Sequence, residues 1–145
     1  MPLPKSTRLL FLDTLPVLRL LEFHPDYYAP LSSLLDNVYE RLIQMVTSPI
    51  TLMEASTQAF RKEQSFLAQQ YREFFTRSKH LQVREIDAPI AMEAARLKAL
   101  HRLDSCTSLQ LATATLCGAD LVLTGDARWK NWCDLEILTL DELLS

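Results

Sequence analysis

Glycine is almost missing from this sequence: Gly118 and Gly125 are the only two in 145 residues. A loop that cradles phosphate needs several glycines, so the Walker and dinucleotide-binding types are both excluded. Cysteine is sparse as well. Cys106, Cys117 and Cys133 are odd in number and lack CxxC spacing, which reads as reduced, mostly buried thiols in a cytoplasmic protein, against a redox or zinc role. His24, His80 and His101 are scattered, and none pairs with a cysteine or another histidine at ligand spacing. No apolar run suits a bilayer. The best candidate, residues 9–21, is interrupted by Asp13 and Arg19, is too short to span, and is followed by no signal-cleavage site. Basic charge is not in excess: 15 Lys and Arg against 18 Asp and Glu leave a net charge of -3. That argues against a surface that coats nucleic acid electrostatically, but it leaves room for a small acidic metal site acting on nucleic acid.

What is present reads as one compact domain over residues 1–145. Hydrophobic residues make up 48% and charged residues 23%, ordinary values for a globular chain, and no repeat or linker interrupts it. Strand-like and helix-like patterns alternate. A buried first strand covers Arg8 to Asp13 and a helix follows from Thr14. Pro25 and Pro30 break the chain around Asp26, and a second helix is expected from Leu31 to Gln44. Gln44 to Thr47 reads as a strand, and Ser48 and Pro49 as an N-cap with proline at the first helical position. Arg61 to Lys79 is polar but keeps an apolar face through Phe66, Leu67, Tyr71, Phe74 and Phe75, and so reads as helical rather than disordered. Leu81 to Ile86 alternates as an edge strand would, and Asp87 with Pro89 opens another helix. A further helix begins near Asp104 or Ser105 and ends at Leu116. Asp120 to Thr124 is then a buried strand, residues 129–132 a short helical turn, and Leu135 to Leu138 a fifth strand. The expected fold is α/β, with a mainly parallel five-stranded sheet and helices on both faces.

The stretch from Leu111 to Asp126 organises the reading. Gly118 stands where a helix needs a left-handed residue just past its end, and Asp126 closes the following strand. Asp13 closes the first strand in the same way. Ligands of open α/β sheets bind at that edge. Glu54 sits in the early turns of a helix that follows another strand, so it can face the same edge. Carboxylates gathered together repel one another and raise each other's pKa, which a hard divalent cation such as Mg²⁺ or Mn²⁺ relieves. Such sites hydrolyse phosphodiesters by activating a water and clamping phosphoryl oxygens. A plainer role competes for each acid. Asp13, Asp104 and Asp126 all stand at helix starts, where Asp is a favoured cap, and Glu54 completes a capping-box spacing with Thr51.

Four pieces of sequence resemble the PIN domain, particularly the VapC-type toxins and their free-standing bacterial relatives. They are Phe11 to Thr14, Val46 to Glu54, Leu109 to Ala114 with Gly118 to Asp120, and Leu123 to Asp126. The helix from Ile90 to Ala99 is also similar to the one before the family's third motif. The resemblance implies a three-layer α/β/α sandwich and Mg²⁺- or Mn²⁺-dependent cleavage of single-stranded RNA. A homodimer and an antitoxin partner are implied too. It places Asp13, Glu54 and Asp126 as metal ligands. The family's third aspartate falls at Thr107 here, and Asp104, one turn earlier, is either its replacement or simply the cap of that helix; Thr107 itself offers a hydroxyl. Leu15 stands where the family often carries asparagine or serine. The alternative implied by these departures is a catalytically degenerate PIN fold kept for RNA binding or protein interaction.

Arg128, Trp129, Lys130 and Trp132 follow Asp126 directly. They read either as cations and aromatics that hold phosphate and stack a base, or as a short helix whose tryptophans pack inward. Arg96, Lys98 and Arg102 read as a solvated helix face or as the border of the cleft.

Overall fold

The computed structural model describes residues 3–145. Five strands form one sheet in the order β3-β2-β1-β4-β5, and every neighbouring pair is parallel. In chain order the elements are β1 (Leu9–Leu12), α1 (Thr14–Leu21), α2 (Tyr28–Glu40), β2 (Gln44–Thr47), α3 (Pro49–Arg61), α4 (Ser65–Arg77), β3 (Leu81–Val83), α5 (Ala88–His101), α6 (Ser105–Leu116), β4 (Leu121–Thr124) and β5 (Glu136–Thr139). Short 3₁₀ turns occupy Ala127–Asn131 and Asp141–Leu144.

The period-2 alternation of the strands sorts their side chains between two cores. Leu10, Leu12, Met45, Leu121 and Leu123 face α1 to α4, where Val17, Leu34, Ala55, Tyr71 and Phe75 close the layer. Phe11, Val46, Val122 and Ile137 face the other side, against Ile90, Ala94 and Leu97 of α5 and Leu111, Ala112 and Ala114 of α6. Both faces of the sheet are covered, which is why its strands read as unbroken apolar runs.

The caps explain several boundaries. Ser48 Oγ accepts from Ile50 N at 3.1 Å with Pro49 at the first helical position, and Asp87 Oδ1 accepts from Ile90 N at 3.0 Å. Helix α6 ends at Leu116 and Gly118 takes φ +76 just beyond it, the left-handed stop its sequence position called for.

Other expectations needed correction. Helix α2 starts three residues before Leu31 and takes in Pro30, which sits in the first turn where no helical N–H is lost. It also stops at Glu40. Leu42 is exposed with φ 54, Ile43 is buried beyond the helix, and Gln44 already belongs to β2. The polar stretch from Arg61 is helical as expected, though only from Ser65 to Arg77 as α4: α3 runs to Arg61 and Glu63 turns at φ 56 between the two. The three thiols are free but only half-buried. Among the described residues, no helix is long and apolar enough to cross a membrane.

Candidate metal centre

The sheet order places the switch in chain direction between β1 and β4: β2 and β3 follow on one side of β1, β5 on the other side of β4. Above such a switch the crossing connections diverge and leave a crevice at the strands' carboxyl ends. Asp13 leaves β1 there, one residue past Leu12, which pairs with Leu123 of β4. The pocket at this place has a volume of about 300 Å³. Asp13, Thr14, Glu54, Gln58, Asp104, Cys106, Thr107 and Gln110 give it its polar lining.

Asp13 stands at the N-cap position of α1 yet makes no side-chain capping bond. Its oxygens are used elsewhere. Oδ2 accepts from Thr124 Oγ1 at 2.7 Å, and Oδ1 accepts from Gln110 Nε2 at 3.3 Å. Burial pushes its carboxyl up from 3.8 to about 6, with the nearby Glu54 charge adding to the rise and the bonds from Thr124 and Gln110 opposing it. Glu54 lies inside α3 and is no capping box; its Oε1 accepts from Thr14 Oγ1 at 2.6 Å.

Asp104 is the cap of α6. Its Oδ1 accepts from Thr107 N at 2.8 Å and its Oδ2 from Thr107 Oγ1 at 2.9 Å, and the backbone bond chiefly holds its carboxyl below the usual range. Asp126 lies at the same end of the sheet but does not line the pocket. It caps the 3₁₀ turn after β4 through Arg128 N and receives the Arg128 guanidinium on both oxygens, which keeps its carboxyl low. The structure therefore brings Asp13, Glu54, Asp104 and Thr107 to one pocket and leaves Asp126 beside it, engaged with Arg128. Among the described residues, no group of three or more His, Cys, Asp and Glu is arranged to hold a metal ion.

Beneath the acids runs a buried polar network whose hub is Gln110, 1% exposed. Its Oε1 accepts from Ser48 Oγ at 2.5 Å, and its Nε2 donates to Thr51 Oγ1 at 2.7 Å. Thr47 Oγ1 lies 2.8 Å from both Thr51 Oγ1 and the Leu12 carbonyl. Sequence reasoning missed Gln110, Thr14 and Thr124. The available signal was a glutamine inside the apolar segment Leu109 to Ala114, since a polar side chain on a core-facing helix must find partners.

The two tryptophans divide between the two roles considered for them. Trp129 is buried in the α5–α6 core, while Trp132 is half-buried with the Arg128 guanidinium 5.3 Å from its ring centroid. Arg96 pairs with Glu93 and Lys98 donates to Ser105, and neither lines the acid pocket.

The PIN domain model matches residues 10–135. The chain belongs to the PIN domain family. Solved structures show the same PIN fold. VapBC2 from Rickettsia felis bound to a promoter DNA fragment aligns with a TM-score of 0.71 at 16% identity, over 90% of this chain and 98% of that one. DNA-bound VapBC from Salmonella typhimurium gives 0.71 at 19% identity, over 92% and 98%. VapC20 of Mycobacterium tuberculosis, described as a toxin cleaving the sarcin-ricin loop, gives 0.68 at 15% identity, over 88% and 98%. A comparison with curated protein sequences gave no match.

PIN nucleases generally use divalent metal ions. The donor set here suits one: Asp13 and Glu54 are two like charges at one pocket, one of them desolvated, with hydroxyls and an amide around them and no basic residue in the lining. A Mg²⁺-type ion held by one or two carboxylates, and otherwise by water and substrate phosphate, needs no more than that from the protein.

Proposed function

We propose that this PIN domain is a metal-dependent endoribonuclease acting on single-stranded RNA, and that it is the toxin of a toxin–antitoxin pair. The observation that carries the reading is that Asp13 and Glu54 line one pocket closely enough to feel each other's charge, with the Asp13 carboxyl desolvated and held by Thr124 and Gln110. Mg²⁺ or Mn²⁺ would be held by Asp13 and Glu54, and by Asp126 once it is released from Arg128. When bound, the ion supplies a more acidic water and neutralises phosphoryl oxygens. The rest is the chain's own work. Thr14 fixes the orientation of Glu54, Thr124 and Gln110 fix Asp13, and Asp104 with Thr107 lines the same pocket, able to accept a water's hydrogen bond. The toxin–antitoxin relatives support a small antitoxin partner, and a homodimer belongs to the same reading; light scattering of the purified chain tests the latter.

The deciding experiment incubates purified protein with single-stranded RNA and Mn²⁺, wild type beside Asp13→Asn. Cleavage in the wild type that disappears in the variant is expected. No cleavage, or equal cleavage in both, removes the proposal.

Two observations favour a second reading, a degenerate PIN fold that binds without cutting. Thr107 stands at the third acidic place, and Asp126 is neutralised by its neighbour. Calorimetry separates the two: micromolar Mn²⁺ binding supports the nuclease, and no binding at millimolar metal supports the binding module.

A further inference from the structure

The pocket has an unmet electrostatic requirement. A nuclease of this kind must draw a polyanion onto a cluster of carboxylates, yet its lining holds Asp13, Glu54 and Asp104 and no Lys, Arg or His. The charge that answers this lies at its edge. Arg128 points its planar fork at Asp126: Nε donates to Oδ1 at 2.9 Å and to Oδ2 at 3.1 Å, and Nη2 donates to Oδ2 at 2.7 Å. The guanidinium also feels the Asp104 charge from the pocket wall.

Three features make this contact exchangeable. The Arg128 side chain is 73% exposed, so water already competes for it and the pair is worth little. Arg128 sits in a short 3₁₀ turn two residues from Asp126, so rotation of the Asp126 side chain alone can part them. The Trp132 ring, 5.3 Å from the guanidinium, gives the arginine a second anchor that stays when the carboxylate leaves. A phosphate presents the same pair of oxygens to a guanidinium fork as a carboxylate does.

We propose that Arg128 is the phosphate-binding residue of this site, and that Asp126 is its resting partner rather than a standing metal ligand. When an RNA phosphate takes the fork, Asp126 is freed toward the cation at Asp13 and Glu54. The resting protein would then offer a cation only Asp13 and Glu54, and bound substrate would add Asp126. This rests on the nuclease reading and deepens it by assigning how the substrate's backbone is held.

The inference makes metal and RNA respond in opposite directions to one surface substitution. In low-salt buffer without RNA, Arg128→Ala is expected to tighten Mn²⁺ binding by about two- to fivefold, the range an exposed ion pair spans. In an Asp126→Asn background the same substitution leaves Mn²⁺ affinity unchanged. Binding of a short fluorescein-labelled single-stranded RNA, measured in EDTA so that nothing is cut, weakens in Arg128→Ala. The slope of its log affinity against log salt falls by about 0.7, one phosphate contact on a single strand. Unchanged or weaker Mn²⁺ binding in Arg128→Ala overturns the inference, and so does an unaltered RNA salt slope. Asp13→Asn runs alongside. If it loses Mn²⁺ while Arg128→Ala has no effect, the nuclease reading stands and this one falls; a wild type that binds no Mn²⁺ removes both.

Discussion

Thr124 Oγ1 donates to Asp13 Oδ2 at 2.7 Å, and by that bond the ends of the two central strands hold one carboxylate between them. The same hydroxyl oxygen accepts from Asp126 N at 3.1 Å. Thr124 is fully buried while Asp13 lines the pocket, so the bond is made at the boundary between core and crevice. Thr124→Val keeps the shape and removes the hydroxyl. It is expected to cost about 1–3 kcal/mol, because Asp13 and the Asp126 N–H both lose a partner, and to weaken Mn²⁺ binding. Urea denaturation and calorimetry measure the two effects; a stability loss with unaltered metal affinity would place Thr124 in the scaffold alone.

The elevated Asp13 carboxyl links stability to pH. Its folded value is about 6 against 3.8, so between these values the folded protein keeps a proton that the unfolded chain has shed. This contribution is present in full below about pH 4 and is lost as pH rises through about 6. Asp104 and Asp126 are lowered, so theirs runs the other way and fades on acidification below about pH 4. Asp13→Asn should flatten the stability profile between the two limits. Metal binding needs the ionised carboxylate, so Mn²⁺ should raise the melting temperature more at pH 7 than at pH 5. Thermal melts in EDTA and in Mn²⁺ across that range check both.

Gln110→Met keeps the length of the side chain and discards its amide. Ser48 Oγ and Thr51 Oγ1, both in the buried network, are then left short of partners. A loss of about 1–3 kcal/mol is expected, which for a chain of this size lowers the melting point by about 2–4 °C per kcal/mol. A variant that melts with the wild type would show the network to be dispensable.

Thr107→Asp puts a carboxylate where the resemblance expects the family's third acid. It faces Asp104 across the first turn of α6, so without metal the like charges should destabilise by a few tenths of a kcal/mol. With metal the sign should reverse and Mn²⁺ affinity should rise about tenfold. RNA cleavage that appears only in Thr107→Asp would identify the natural protein as the binding module.

The two glycines fail for different reasons. At Gly118 a Cβ meets nothing within 4 Å, but φ is +76, so Gly118→Ala costs about 1 kcal/mol of backbone strain. At Gly125 a Cβ would lie 2.4 Å from Leu15 Cδ2, so Gly125→Ala costs about 1–3 kcal/mol by overpacking. Leu15→Ala should rescue the second and not the first, as a double-mutant cycle in urea would show.

The sheet was legible in the sequence because both faces of each strand are buried, leaving unbroken apolar runs such as Leu121 to Thr124. The boundaries of α2 were not, because a first-turn proline costs a helix nothing and Pro30 looks the same as a breaker. Asp13 and Glu54 could be placed from spacing, since strand ends and helix starts put them at one edge. The direction in which Asp126 turns was illegible: it is set by a local fork from Arg128, two residues away, which no periodicity encodes. Gln110 escaped for the opposite reason, since its partners Ser48 and Asp13 lie 62 and 97 positions away.

The central position of β1 has a consequence for the order of synthesis. β1 is the first strand made, but its neighbour β4 comes 111 positions later in register, as Leu10 with Leu121 and Leu12 with Leu123 pair. Gln110 and Thr124, which hold the Asp13 carboxylate, also belong to the last third of the chain. Domains acquire such distant contacts only once the late segment is available. A nascent chain therefore carries Asp13 and Glu54 past the ribosome exit without a formed pocket. Any activity the site possesses begins only after translation has passed β4, so the pocket is a property of the finished chain alone.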